Sequence, residues 1–248
     1  MDLLNKTILI TGASDGIGEV LAVEFSKLGS NIILLGRDSL KLDEVYDRLD
    51  CSFDSQKHLI LQADLALLNN ESSHEILRAI SEEYKSLDGI VHNAAILGTM
   101  TTLADYELSK WDEVLNINLR APFLLTKILK PILEESTLPR IIFTSSGVAN
   151  IGRAFWGAYS VSKFGLKGLA EIYANELETT SSIKVFNFDP EATRTKMRSS
   201  ARPAEDPKSL KTPHDLLNCY LWFFSEDSSQ SKEHYFKYSD LSMKVTST

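Results

Sequence analysis

Six short runs of apolar and β-branched residues recur along the 248-residue chain: KTILIT, NIILLG, HLILQAD, GIVHNA, RIIFTSS and KVFNFDP. Most of the intervals between them carry apolar residues at helical spacing, so strands alternate with helices. Strands joined through helices need crossover connections, and crossovers place neighbouring strands parallel. The runs are almost continuously apolar rather than alternating, which is the pattern of strands covered by helices on both faces. No repeat and no Pro/Gly/Ser linker divides the chain. The expectation is therefore one α/β domain over residues 1–248, a doubly wound parallel sheet, with EHYFKYS near the C-terminus as a candidate edge strand.

In such a sheet, ligands bind beyond the carboxyl ends of the strands, where the strand order reverses. The residues just after the runs are accordingly the ones to read for function. After the first run comes ILITGASDGIG, with glycines at 12, 16 and 18, and then EVLAVEFSKLG, an apolar helical stripe that Gly29 closes as a C-cap. A strand, a glycine turn and a helix give a sharp bend, a close backbone approach and an N-terminus with unpaired N–H groups for an anion. Taken alone, the spacing leaves a plain structural turn open. The other strand ends supply Gly36 and Arg37, Asp64, Asn93, Ser146 and Pro190. The irregular stretch RSSARPAEDPKSLKTP, within residues 196–213, is long enough to predict a substrate-binding segment.

AYSVSKFG places Tyr159 and Lys163 four apart, on one face of a helix. By itself such a pair is common on any helix surface. In a site it is chemistry: an ammonium ~4 Å from a phenol is worth about 4 kcal/mol at an effective dielectric of 20, enough to bring the phenol toward neutral pH if water is excluded. Ser146 lies where a hydroxyl would hold a substrate carbonyl beside that phenol, and Asn118, in VLNINLRAPF, is the candidate anchor for a water feeding protons to Lys163. Phe155, Trp156 and Met197 suggest an apolar pocket.

These motifs together resemble the short-chain dehydrogenase/reductase family over nearly the whole chain. TGASDGIG is similar to its TGxxxGxG, Asn93 to Ala95 to its NAG, and Asn118 to its active-site Asn. Ser146 stands thirteen residues before the Tyr of its YxxxK, and PEATRT matches its PGxxxT with Thr195 last. GRAFWGAYSVSKF and EDPKSLKTP are similar to the bacterial YciK-type subgroup. The resemblance implies a Rossmann fold and an NAD(P)-dependent hydride transfer between a carbonyl and an alcohol. In it Tyr159 is the acid/base, Ser146 polarises the carbonyl, Lys163 lowers the Tyr pKa and binds the nicotinamide ribose, and Asn118 supports the relay water. Cofactor contacts are implied for Gly12, Ser14, Asp15, Gly16, Ile17 and Gly18, then Arg37, Asp64, Leu65, Asn93 and Ala94, and finally Tyr159, Lys163, Pro190, Thr193 and Thr195. A homodimer or homotetramer, assembled through the helices of Asn118 and Tyr159, is implied as well.

Two positions depart from the pattern. Ala95 replaces a glycine, mildly; Glu191 replaces the glycine after Pro190 and brings a carboxylate and a Cβ to the nicotinamide end, which predicts weakened cofactor binding. The second strand ends in Gly36 and Arg37 where an NAD-selective enzyme carries Asp or Glu, so NADP(H) is expected over NAD(H), with Ser39 assisting and Asp15 opposing.

Alternative functions fall to composition and motif. A formal charge of −8 with 26 scattered basic residues argues against nucleic acid. Five histidines without ligand spacing argue against a metal. Only Cys51 and Cys219 are present, which predicts reduced thiols. No basic leader precedes the first strand and no apolar run approaches the ~18 residues that span a bilayer, so a cytoplasmic protein without membrane contact is expected. A non-catalytic dinucleotide-binding regulator is the runner-up, disfavoured by the retained Tyr159 and Lys163. An epimerase or dehydratase would carry TGxxGxxG and a longer substrate region.

Overall fold

In a computed structural model, which describes residues 3–53 and 55–246, seven parallel strands form one sheet in the order β3-β2-β1-β4-β5-β6-β7. Residues 1, 2, 54, 247 and 248 of the expected domain lie outside the described residues. The strands are β1 (Thr7–Thr11), β2 (Asn31–Gly36), β3 (Leu59–Gln62), β4 (Gly89–His92), β5 (Arg140–Thr144), β6 (Lys184–Asp189) and β7 (Tyr235–Lys237). All six apolar runs are strands, and EHYFKYS supplies the edge strand β7, paired to β6 through Phe188 and Phe236.

Successive strand residues feed two separate cores, as the pleat requires. Ile8, Ile10, Leu34, Phe186 and Phe188 pack against α1 (Gly16–Ser26), α2 (Ser39–Tyr46) and α8 (Leu217–Phe223). Leu9, Ile33, Leu35, Phe143 and Val185 pack on the other face, against α3 (Asn70–Glu83), α5 (Ala121–Glu134) and α6 (Gly157–Leu177). Edge strand β3 is only half covered, unlike the fully buried β1 and β4. Helix α1 ends as its sequence predicts: Gly29 takes φ of 85°, and its N–H bonds the Ser26 carbonyl at 2.9 Å.

Between α4 (Leu108–Leu115) and α5 the helix widens into one π turn, Asn116–Arg120, which carries Asn118. The stretch expected to be irregular is instead built from α7 (Lys196–Ala201) and 3₁₀ turns at Pro207–Ser209 and Pro213–Leu216. Its bracing explains the difference: Arg198 pairs with Glu205 through two 2.6 Å contacts, and the Arg194 guanidinium donates to the carbonyls of Pro207 and Leu210. After α8 the chain runs through α9 (Glu226–Ser229) and β7 to α10 (Tyr238–Thr246). The first residue of β5, Arg140, is fully buried and donates to the carbonyls of Pro139, Phe223 and Ser225 and to Ser229 Oγ.

Candidate active site

The strand order reverses at β1, which pairs with β2 on one side and β4 on the other, and the glycine turn rises from its carboxyl end. Thr11 anchors the reversal: its Oγ1 accepts the N–H groups of Asn93 and Ala94 at 3.1 and 3.0 Å. The Asn93 side-chain amide donates to the carbonyls of Thr11 and Gly12 at 3.3 and 3.4 Å. At two positions of the turn a Cβ has no room. Gly12 has φ of 65° and leaves no room for a Cβ, which would stand 2.8 Å from Ala94 Cα. A Cβ on Gly18 would meet the Gly12 carbonyl oxygen at 2.3 Å, so Gly18 packs helix on turn rather than lining the cleft.

The cleft above this turn has a volume of about 400 Å³, within the usual range for a small-molecule site. It gathers the remaining expected cofactor positions, from Gly12, Ser14, Asp15, Gly16 and Ile17 through Arg37, Asp64, Leu65, Asn93 and Ala94 to Pro190, Thr193 and Thr195, together with Ser146, Tyr159 and Lys163. Backbone pressed close to an open cleft, with a helix N-terminus behind it, fits a dinucleotide's pyrophosphate. Gly36 fits an end without a carboxylate, because a Cβ there would already stand 3.2 Å from Leu42. Asp15, expected to oppose a phosphate, is paired with Lys196 at 2.8 Å, and the opposition is thereby offset.

Beyond the glycine turn, Tyr159 and Lys163 lie on one face of α6, both buried. The Lys163 ammonium is 5.8 Å from the Tyr159 ring centre and donates to the Thr144 carbonyl at 2.7 Å. The Ser146 side chain lines the same cleft and acts to lower the Tyr159 pKa. The phenol is not brought toward neutral pH as the sequence suggested. Burial pushes it up to about 12, against the smaller lowering by Ser146, because the ring sits in a dry pocket. Burial drives Lys163 the other way, to about 8.

Asn118 is fully buried and does not reach the cleft or Lys163. Its amide donates to the Ile96 carbonyl at 2.9 Å and to Ser162 Oγ at 3.0 Å, and its Oδ1 accepts the Ile96 N–H at 2.8 Å. Ser162 in turn donates to the Tyr159 carbonyl at 2.8 Å, so Asn118 braces α6 against the segment after β4. Of the aromatic pair, Trp156 enters the pocket, packed with Val148, Tyr159, Leu97, Met197 and Ala201. Phe155 is 54% exposed and stays outside. Sequence reasoning missed Leu97, Lys196 and Asp189; the last ends β6, and the strand-end rule would have found it.

Glu191 adopts φ of 55°, the conformation that favours glycine, as its place in PEATRT predicts. The residue lines the cleft, but its carboxylate is engaged otherwise than expected: it accepts from Ser239 Oγ at 3.1 Å and lies 4.0 Å from the Lys211 ammonium. Glu191→Gly is expected to leave NADPH affinity equal or tighter in a fluorescence titration, since backbone strain is relieved and no cofactor contact is removed. A clear loss of affinity would mean that the tether to Ser239 and Lys211 shapes the cofactor wall.

The fold and this cleft define a nucleotide-binding α/β oxidoreductase. The sequence pattern of the short chain dehydrogenase family matches residues 6–206, and the chain belongs to that family. It is 40% identical over 228 residues to the oxidoreductase YciK of Escherichia coli K12, covering 92% of this chain and 89% of the relative, and is of that type. A short chain dehydrogenase from Escherichia coli CFT073, complexed with NADPH, superposes with a TM-score of 0.90 at 38% identity, over 96% of this chain and 98% of that one. Another from Shigella flexneri 2a, complexed with NADP, superposes with a TM-score of 0.89 at 37% identity, over 96% and 99%. The chain is an NAD(P)-dependent enzyme of this family. Among the described residues no helix is long and apolar enough to cross a membrane, and no group of three metal-ligating side chains is present.

Proposed function

We propose that the chain reduces a small apolar carbonyl compound to the alcohol, reversibly, with NADPH as cofactor. One observation carries this reading: Tyr159 and Ser146 line one cleft together, where its glycine-turn half meets the apolar pocket of Leu97, Trp156 and Met197. Bound NADPH supplies the hydride there. The chain supplies the rest. With its pKa near 12, Tyr159 carries its proton at neutral pH and serves as the acid that protonates the carbonyl oxygen. The Ser146 hydroxyl holds that oxygen in line. Lys163 places a positive charge beneath the phenol, and Asn118, through Ser162, fixes the helix that carries both. The relay water assigned to Asn118 by family resemblance remains part of the proposal. The segment 196–213 covers the substrate side, and a homodimer or homotetramer forms through α5 and α6, whose Phe123, Val161 and Phe164 are exposed.

The decisive assay is NADPH loss over a panel of ketones, aldehydes and 3-oxoacyl thioesters. Turnover of apolar ketones or aldehydes, abolished with Tyr159, supports the reading. Tight NADPH binding with no turnover on any member would favour the non-catalytic regulator instead.

Cofactor choice is a separate prediction. Arg37 is exposed at the end of β2, lines the cleft, and offers a fork of donors to a 2′-phosphate. A charge-assisted contact is worth ~1.5–3 kcal/mol, so NADPH should bind at least about tenfold more tightly than NADH. Arg37→Ala is expected to erase most of that preference. Parallel titrations that give equal wild-type affinities, or a preference unaltered in the variant, would remove Arg37 from this role.

A further inference from the structure

The end of β6 carries Asp189, a carboxylate only 2% exposed that the chemistry above does not use. It is held at both oxygens. Oδ1 accepts the Glu191 N–H at 2.8 Å, and Oδ2 accepts the hydroxyl of Tyr235, on β7, at 3.5 Å. Tyr235 is fixed in turn by Asn150, which donates to it at 2.7 Å and accepts from Lys167 at 2.8 Å. The carboxylate lies under the turn that presents Ser146, since a Cβ on Gly147 would stand 3.6 Å from Oδ2.

The sheet register relates Asp189 to Lys163. Thr144 pairs with Phe188 across β5 and β6, and the Thr144 carbonyl is the one that receives the Lys163 ammonium. A buried cation thus rests on one strand end, and a buried anion occupies the next position of the adjoining strand. No carboxylate lies within 4 Å of the Lys163 ammonium among the described residues, so its counter-charge acts through space across these strand ends. A buried ammonium without a nearby negative charge tends to lose its proton.

We propose that Asp189 is a positioning residue whose negative charge keeps Lys163 protonated at the pH where the enzyme works. The proposal rests on the reading of Tyr159 and Lys163 given above. Burial alone lowers Lys163, and Asp189 is the group that opposes this; it also adds to the raising of Tyr159. The charged and titratable groups around Asp189 are Tyr159 and Lys163 from α6, Tyr235 and Lys237 from β7, and Glu191 and Lys211 from the segment after β6. Burial and the Glu191 carboxylate raise Asp189 itself, and the Glu191 N–H, Lys237 and Lys211 offset part of that by favouring its ionised form.

The test is Asp189→Asn, which keeps the shape and removes the charge. In full-length protein labelled with ¹³C at lysine Cε, the Lys163 resonance is identified by its loss in Lys163→Met. Its titration is expected to move down by about one pH unit in Asp189→Asn. The alkaline limb of kcat/KM for reduction should move the same way, because loss of the proton from either Lys163 or Tyr159 becomes easier. A purely structural Asp189 would instead lower activity evenly with no movement of either curve, and that result overturns the proposal. Should Asp189→Asn lose its thermal transition, Asp189→Ser is read by the same criteria. If the wild type reduces no carbonyl compound, the functional reading fails while the Lys163 titration still decides the role of Asp189.

Discussion

Tyr159→Phe is expected to lower kcat for carbonyl reduction by about a hundredfold or more while leaving the Kd for NADPH within about twofold. The substitution removes one hydroxyl. The phenyl ring retains its packing against Trp156, whose ring centre lies 5.9 Å away, and against Val148. What disappears is the proton donor on the cleft that Ser146 also lines. Since that proton moves only in the transition state, kcat and kcat/KM should fall together. A variant that kept more than about a tenth of the wild-type kcat on a verified substrate would exclude Tyr159 as the acid, given the ~10²–10⁴-fold contribution of such groups.

Arg140→Ala is expected to destabilise the fold by about 3–5 kcal/mol, read as a lower urea midpoint at unchanged slope. Arg140 starts β5 and takes the place of a bolt between the sheet and the turn after α8. Its guanidinium reaches the Phe223 carbonyl at 2.8 Å, the Ser225 carbonyl at 3.3 Å and Ser229 Oγ at 2.6 Å. Burial lowers its pKa to about 10, which still leaves it charged at neutral pH. Truncation removes the guanidinium donors from those oxygens, leaving the Ser228 hydroxyl as the donor near the Phe223 and Ser225 carbonyls, and opens a cavity. Arg140→Lys should recover less than half of the loss, because one ammonium cannot span the same fork. A loss below about 1 kcal/mol for the alanine variant would mean that water satisfies the site. The residue lies at the opposite end of β5 from Thr144, so folded Arg140→Ala should still bind NADPH.

The features legible in the sequence are those set by local pattern. Apolar runs gave the strands, glycine spacing gave the turn at residues 12–18, and four-residue spacing placed Tyr159 and Lys163 on one helix face. Features set by distant partners were not legible. The Asp15 carboxylate meets Lys196, 181 positions away, and nothing near Asp15 announces it. Glu191 shows its glycine-like backbone through its place in PEATRT, yet its carboxylate is directed by Ser239 and Lys211. The side-chain partners of Asn118, the Ile96 backbone and Ser162, were likewise not legible. The Tyr159 pKa depends on how dry its pocket is, which spacing alone does not encode. Helix α7 escaped notice because KMRSSA is short and polar, and it is stabilised from outside by the Thr195 cap and the Arg198–Glu205 pair.

The strand order also sets a schedule for how the molecule comes into being. Strands β1, β2 and β3 adjoin one another in space nearly as they do along the chain, so the glycine-turn half can begin to assemble while the ribosome is still working. The other flank of β1 cannot close so early. Thr7 must find Asp88, 81 positions later, to make its 2.9 Å hydrogen bond, and β4 must then wait for β5 at Arg140. Such long-range closures slow folding and leave a sheet edge exposed meanwhile. At synthesis rates of about 5–20 residues per second, the glycine-turn half emerges several seconds before the helix bearing Tyr159. The nascent chain therefore holds the parts of a binding surface before it holds the means to use it.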